Sequence, residues 1–219
     1  MIVAIDGPAG VGKSTIAALI AQRLDLYYLN SGSFYRGVTY QAELEGVDPL
    51  DQDAVLAVAE HMVLSVTEGK VCNKGIPIED KLHTSQVDRW VAQVSIDPRL
   101  RKWVNKQIRS IAMGMDMIAE GRDITTVVFP DADFKFYFDA TPEVRARRRY
   151  EQHPQDTDYK SVLDGILARD RIDKEKAFGG LKIAKDAVII DTSYLTISEV
   201  CEKVVSAINS HNMRRNRKY

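Results

Sequence analysis

The chain has 219 residues, with 30 Lys+Arg against 31 Asp+Glu and a formal net charge of −1. That length suits one large domain, or a core with an inserted lobe, and is ample for a hydrophobic core. A charge balance near zero argues against a general nucleic-acid binder, and no apolar stretch approaches the length that crosses a bilayer.

The first segment, MIVAIDGPAGVGKSTIAALIAQRL, carries the strongest local signal. Met1 to Ile5 is apolar and β-branched enough for a buried parallel strand. It runs into G-x-x-x-x-G-K-[ST], the spacing of Gly7, Gly12, Lys13 and Ser14, which is the phosphate-binding loop pattern. Gly7, Gly10 and Gly12 let the backbone curl so that several amides converge on one anion. The helix from Ser14, with Ile16, Leu19, Ile20 and Leu24 on one face, sets that anion at a helix N-terminus. The segment from Gly7 through Pro8, Ala9, Gly10, Val11, Gly12, Lys13 and Ser14 to Thr15 is therefore expected to hold a nucleoside triphosphate. Lys13 would reach the β- and γ-phosphates and Ser14 would ligate Mg²⁺. The apolar start ends at Asp6 without a basic flank, so no signal peptide is expected. Cys72 and Cys201 stand far apart with no metal-ligand spacing, and a reduced, cytoplasmic setting is the expectation.

Further along, Leu26 to Leu29 reads as a short strand and is followed by a Ser31-capped helix to about Leu44. Gln52 to Leu64 reads as an amphipathic helix. Val63 to Ile78 alternates and contains Asn73-Lys74-Gly75, which suggests a small antiparallel element. Thr84 to Val94 and Pro98 to about Ala112 read as helices. Met117 to Ala119 and Phe134 to Phe138 read as strands, and Thr141-Pro142 opens a helix through Tyr150. His153 to Tyr159 is polar and turn-rich, and Ser161 to Lys176 is helical. Val188 to Ile190 is a last strand and Ile197 to Ile208 a last helix with Val200, Val204 and Val205 inward. The basic tail from Met213 is aperiodic and reads as a frayed terminus. Strands alternating with helices predict an α/β fold, a parallel sheet covered on both faces. The stretch of about residues 63–112 breaks that alternation and reads as an inserted lobe.

Four stretches bear on where a bound phosphoryl group would go. LNSGSFYRG brings Tyr35 and Arg36 one turn into a helix at the sheet's C-terminal edge. EGRDITTVVFPDA sets Arg122 and Asp123 after a strand, where ligands bind in such sheets. VRARRRY and ARDRIDKEK add arginines whose fork geometry suits phosphate oxygens. Each also has a plain reading. Arg36 could be a surface ion-pair partner, Arg145 to Arg149 a solvated helix face, and Arg169-Asp170 a local ion pair.

Taken with the opening loop, these stretches closely resemble the bacterial cytidylate kinase family over nearly the whole chain. The shared blocks are IDGPAG-GKST, SG-YR, GRD-x-x-TVVFPDA, R-RRR, ARD-x-x-D and DAVIIDTS. The resemblance implies a phosphate-binding-loop nucleoside monophosphate kinase. Its core would be about residues 1–62 and 113–219, with a monophosphate-binding lobe at 63–112 and a mobile lid at 150–180. The implied reaction moves the γ-phosphoryl of ATP to CMP or dCMP, with Mg²⁺, in a cytoplasmic monomer that binds neither nucleic acid nor membrane.

The resemblance also implies roles. Lys13, Arg122 and Arg169 would act on the reacting phosphates, with Arg145, Arg148 and Arg149 reaching them from the lid's helix. Ser14 and, through water, Glu120 would support the metal. Ser31, Arg36 and Arg122 would hold the acceptor phosphate, with Tyr35 beside them. Arg101 and Asp123 would address the cytosine edge, and Arg169, Asp173 and Lys176 the phosphate and ribose. The chain departs from the family's pattern at four places. Arg89-Trp90-Val91-Ala92 stands where Asn-x-x-Ser is usual, so Ala92 has no hydroxyl to offer a base. Thr125 replaces a glycine, Lys176 an arginine and Gly180 a proline. A guanine-reading GTPase is disfavoured because Asn73-Lys74-Gly75-Ile76 lacks the final aspartate. A related kinase with another small acceptor, such as UMP, AMP or a shikimate-like alcohol, is the runner-up. A non-enzymatic ATP-binding module would have no need of arginines in both lobe and lid.

Overall fold

The computed structural model describes residues 1–152 and 158–216, the last six of them by backbone alone. In chain order the elements are β1 (Ile2–Asp6), α1 (Lys13–Leu24), β2 (Tyr27–Asn30), α2 (Ser31–Leu44), α3 (Gln52–Glu60), β3 (Leu64–Thr67), β4 (Lys70–Asn73), β5 (Ile76–Pro77), α4 (Ser85–Val94), α5 (Pro98–Ala112), β6 (Met117–Gly121), β7 (Phe134–Asp139), α6 (Pro142–Gln152), α7 (Tyr159–Glu175), β8 (Val188–Asp191) and α8 (Ile197–Asn216). Five strands form one parallel sheet in the order β2-β6-β1-β7-β8.

Side-chain alternation along β1 shows why the sheet needs cover on both faces. Val3 and Ile5 pack with Ile16 and Ile20 of α1 and with Val200, Val204 and Ile208 of α8. Ala4 faces the opposite layer, with Phe34 and Val38 of α2 and Val104 and Ile108 of α5. From β1 the chain passes to β2 on one side, and from β6 to β7 on the other. The C-terminal ends of β1 and β6 lie side by side at this change of direction, with Asp6 in register with Gly121. Crevices at such points are where open α/β sheets bind ligands.

The region expected as an inserted lobe contains a separate antiparallel sheet, β3-β4-β5, followed by α4 and α5. It is not detached at its base. Leu82, Val91, Leu100 and Val104 share one buried cluster with Leu29 and Ala119 of the parallel sheet.

Several boundaries differ from the sequence reading. Leu19 is exposed, and Ala17 and Ala21 complete the buried face of α1. Asn30, not Ser31, caps α2, its side chain accepting from the Gly32 amide at 2.8 Å. α3 ends at Glu60, which releases Leu64 to pair with Asn73 in the small sheet. A π-helical turn at Ile124–Val128 follows β6, a feature with no periodic signal in five residues. α8 continues through Asn216, so the tail is helical for its first four residues from Met213. The turn-rich reading of His153 to Tyr159 falls largely on residues 153–157, outside the described residues.

Candidate active site

A cleft of about 930 Å³ runs along the C-terminal edge of the sheet. One end is the loop from Ala9 to Thr15. Gly12, at φ 88°, caps α1 without a side chain, so the first amides of the helix are left to the loop. Lys13 is buried, and its Nζ donates to the carbonyls of Gly7 and Pro8, each at 2.8 Å. Burial, reinforced by the Arg122 guanidinium, pulls its pKa down to about 7. Ser14 Oγ donates to Glu120 Oε1 at 2.6 Å, joining the helix start to β6. The hydroxyl and carboxylate are the hard oxygens that Mg²⁺ takes alongside several waters. Among the described residues no group of three or more His, Cys, Asp and Glu side chains gathers as a metal cage.

The middle of the cleft is a cluster of guanidinium groups. Arg36 of α2 donates to Leu82 O at 3.0 Å and to Asp88 Oδ1 at 2.6 Å. Arg149 of α6 approaches the other Asp88 oxygen at 3.5 Å. Arg122 donates through Nε to Asp173 Oδ2 at 2.8 Å. Arg169 of α7 lies among them with its Nε lacking a hydrogen-bond partner among the described residues. Burial first, and then the like charge of Arg122, lowers the Arg169 pKa to about 10. A guanidinium under that pressure is suited to an anion, because a multivalent phosphate would relieve both the repulsion and the missing contact. Ser31, at the head of α2, borders the same space.

The far end is built by α4, α5, the loop after β6 and the end of α7. Arg101 is 2% exposed and donates to Asp123 Oδ1 at 2.7 Å and to Ser95 O at 3.0 Å. Its guanidinium lies 5.1 Å from the centre of the Tyr35 ring. Arg101 Nε, Asp123 Oδ2 and the Tyr35 hydroxyl have no hydrogen-bond partner among the described residues. Gly179 packs closely against the first two: a Cβ there would stand 2.3 Å from Asp123 Oδ2 and 2.4 Å from Arg101 Nε, and its φ of +66° also favours glycine. Lys176 Nζ donates to Asp173 Oδ1 at 2.8 Å and to Ser95 Oγ at 2.9 Å. Burial works against ionising Asp173, but Arg122 and Lys176 outweigh it and hold the carboxyl well below the usual range.

The cleft thus unites Lys13, Ser14, Ser31, Tyr35, Arg36, Arg101, Glu120, Arg122, Asp123, Arg148, Arg149, Arg169, Asp173 and Lys176. Arg148 lies toward the loop end, bonded to Thr192 Oγ1 at 3.2 Å and Thr192 O at 2.5 Å. Arg145 departs from the expectation that it reaches the reacting phosphates. It does not line the cleft: it is 2% exposed, with a two-point pair to Asp170 at 3.1 and 2.6 Å and bonds to Ala9 O and Ala140 O. Its place on the inner face of α6 makes it a brace between the phosphate loop and α7. That contact also takes Asp170 away from its chain neighbour Arg169.

The profile of the family described as "Cytidylate kinase" matches residues 3–210. The chain belongs to the cytidylate kinase family. A relative of that description from Clostridioides difficile is 38% identical over 212 residues, 95% of this chain and 98% of the relative. Another from Thermus thermophilus is 41% identical over 211 residues, 94% of this chain and 98% of the relative. Among solved structures, a gluconokinase from Sinorhizobium meliloti 1021 superposes with a TM-score of 0.52 at 13% identity, covering 98% of this chain and 95% of that one. A shikimate kinase from Bacteroides thetaiotaomicron gives 0.50 at 10% identity, over 95% and 98%. These two show the fold alone, that of phosphate-binding-loop kinases.

Within this kinase family frame, the structure adds residues that the sequence reading passed over. Asp6, fully buried at the end of β1, accepts from the amides of Ile124 and Thr125 at 2.9 and 2.8 Å and from Thr125 Oγ1 at 2.6 Å. It ties the phosphate loop to the turn carrying Arg122 and Asp123. Burial raises its pKa to about 6 against those three bonds. The Asp of IDGPAG was visible at the end of an apolar strand, but its partner is 119 residues away. Thr125 thereby has a role a glycine could fill only through its amide. Asp88 was equally hidden. It lies on the exposed-looking side of a helix pattern, yet it orients both Arg36 and Arg149. Ala92 does not line the cleft, whereas Ser95, three residues on, does. No helix among the described residues is long and apolar enough to cross a membrane.

Proposed function

We propose that this chain transfers the γ-phosphoryl group of ATP to CMP or dCMP, giving ADP and CDP or dCDP. One observation carries the reading: a single cleft has a phosphate-binding loop at one end, guanidinium groups in the middle and a buried, partly unsatisfied Arg101–Asp123 pair at the other. A donor beside an acceptor matches cytosine, which offers a ring acceptor next to an exocyclic amine.

In this reading Gly7 to Thr15 cradle the ATP phosphates, with Lys13 on the β- and γ-groups. Ser31, Arg36 and Arg122 hold the acceptor phosphate, and Arg169 neutralises charge between the two substrates. Arg148 and Arg149 reach the reacting phosphates as the lid closes, and Arg145 keeps the loop in position behind them. Asp173 and Lys176 serve the ribose end. Mg²⁺, held by the Ser14 hydroxyl and through water by Glu120, would offset the triphosphate's charge. No strong base is needed, since a phosphate monoester oxygen is already ionised at neutral pH. Catalysis is then alignment, charge neutralisation and exclusion of water.

The division of labour follows the chain: a core of about residues 1–62 and 113–219, an acceptor lobe at 63–112 and a lid at 150–180. A monomer suffices, because one chain lines every part of the cleft. Two buried free cysteines suit a cytoplasmic setting. The test is a coupled assay of ADP release against a panel of monophosphates. CMP and dCMP should turn over fastest, UMP more slowly and AMP negligibly. AMP turning over faster than CMP would overturn the reading.

A further inference from the structure

The base-facing end of the cleft contains one hydroxyl whose hydrogen is already committed. Ser95 follows the last residue of α4, where the helix stops supplying i+4 amides. The Ile96 amide bonds to Gln93 O instead of to Ala92 O, and Ser95 Oγ donates to Ala92 O at 2.9 Å in its stead. Turning the hydroxyl would break that bond at a helix end already short of donors. One lone pair of the same oxygen accepts from Lys176 Nζ at 2.9 Å. A hydroxyl has one hydrogen and two lone pairs. What Ser95 Oγ has left to offer is a single acceptor site.

Its surroundings give that site meaning. Ser95 is 6% exposed and borders the cleft. Its carbonyl accepts from Arg101 at 3.0 Å, so the residue is tied at once to α5 and to the end of α7. Arg101 and Lys176 are donors only. Asp123 Oδ2 and the Tyr35 hydroxyl, which lack hydrogen-bond partners among the described residues, are the other acceptors at this end.

On the reading that the acceptor substrate is a cytidine monophosphate, we propose that Ser95 Oγ is a specificity-determining acceptor for the exocyclic amino group of the base. Cytosine brings an N–H to this position. Uracil brings a carbonyl oxygen, which would face a lone pair. Discrimination thus comes from a hydroxyl whose direction is locked by the end of its own helix, a turn away from Ala92.

The test measures kcat/KM for CMP, UMP and a CMP analogue lacking the 4-amino group, in the wild-type protein and in Ser95→Ala and Ser95→Thr. Ser95→Ala should lower the CMP-to-UMP ratio about tenfold, the value of one net hydrogen bond. The loss should fall on KM for CMP, with UMP little changed. Removing the amino group should cost the wild type about tenfold more than it costs Ser95→Ala, and Ser95→Thr should restore the wild-type ratio. Ser95→Ala lowering CMP and UMP in equal proportion would reduce Ser95 to a structural role and overturn the proposal. Should Ser95→Ala fail to fold, equal use of CMP and the amino-lacking analogue by the wild type overturns it instead. No turnover of CMP by the wild type would be a different failure, that of the reaction itself.

Discussion

The two ends of the cleft are built in opposite ways. In the proposed reading, the triphosphate end is one contiguous loop, Gly7 to Thr15, whose chemistry comes from backbone amides, one lysine and the start of α1. The base end gathers Tyr35, Ser95, Arg101, Asp123 and Lys176 from five separate segments. A contiguous, backbone-made site tolerates any ligand that carries phosphate. A site assembled from side chains can distinguish bases, because each unpartnered group left by a wrong base has a cost. On the same reading, the guanidinium cluster between them belongs with the first kind, sensing charge without sensing the base.

The largest effect expected at the triphosphate end is that of Lys13→Ala. It removes a cation from charge that shifts during transfer and should lower kcat by about 10²–10³ with the fold retained, as steady-state rates and circular dichroism would show. Turnover at the wild-type rate would remove the loop from the chemistry.

A smaller effect at the same end is pH-dependent. Lys13 has a pKa of about 7 in the free protein, held down by burial, and bound phosphates would raise it. Binding ATP at pH 8 should therefore take up close to one proton, and affinity should fall as pH rises above about 7. Calorimetry in two buffers of different ionisation enthalpy measures that uptake, which Lys13→Met should abolish. The sign for stability is opposite. The unfolded chain holds the lysine proton up to its ordinary value, so this group makes the free protein more stable as pH rises from about 7 toward 10.5.

The smallest effect concerns the strut joining the two ends. Thr125→Val removes the hydroxyl that Asp6 accepts but leaves both amide bonds. It should cost about 2 kcal/mol in denaturant unfolding, as for a hydrogen bond to a charged group. No change would mean that the two amides alone secure Asp6.

The same contrast explains what the sequence disclosed. The loop, the alternation of strands and helices, and the antiparallel insertion were legible because their signals are local: fixed spacing, period and turn residues. The arginines were legible as candidates, but not their sorting. Arg145 and Arg149 stand one helical turn apart in VRARRRY, yet one is sealed behind the phosphate loop and the other opens to the cleft. Only packing of α6 against α7 decides which. Asp6, Asp88 and Ser95 were missed because each acquires its role from partners in other elements. Ala92 has no hydroxyl of its own, and its carbonyl orients that of Ser95.

The most direct test of the division between charge-reading and base-reading regions is the CMP-to-UMP ratio of kcat/KM in Arg36→Ala and Asp123→Asn. Arg36→Ala should weaken both substrates alike and leave the ratio unchanged, since a phosphate contact carries no information about the base. Asp123→Asn should lower the ratio along with the activity, because an acceptor at the base end is replaced by a donor. A ratio that moves in Arg36→Ala and stays fixed in Asp123→Asn would contradict the account.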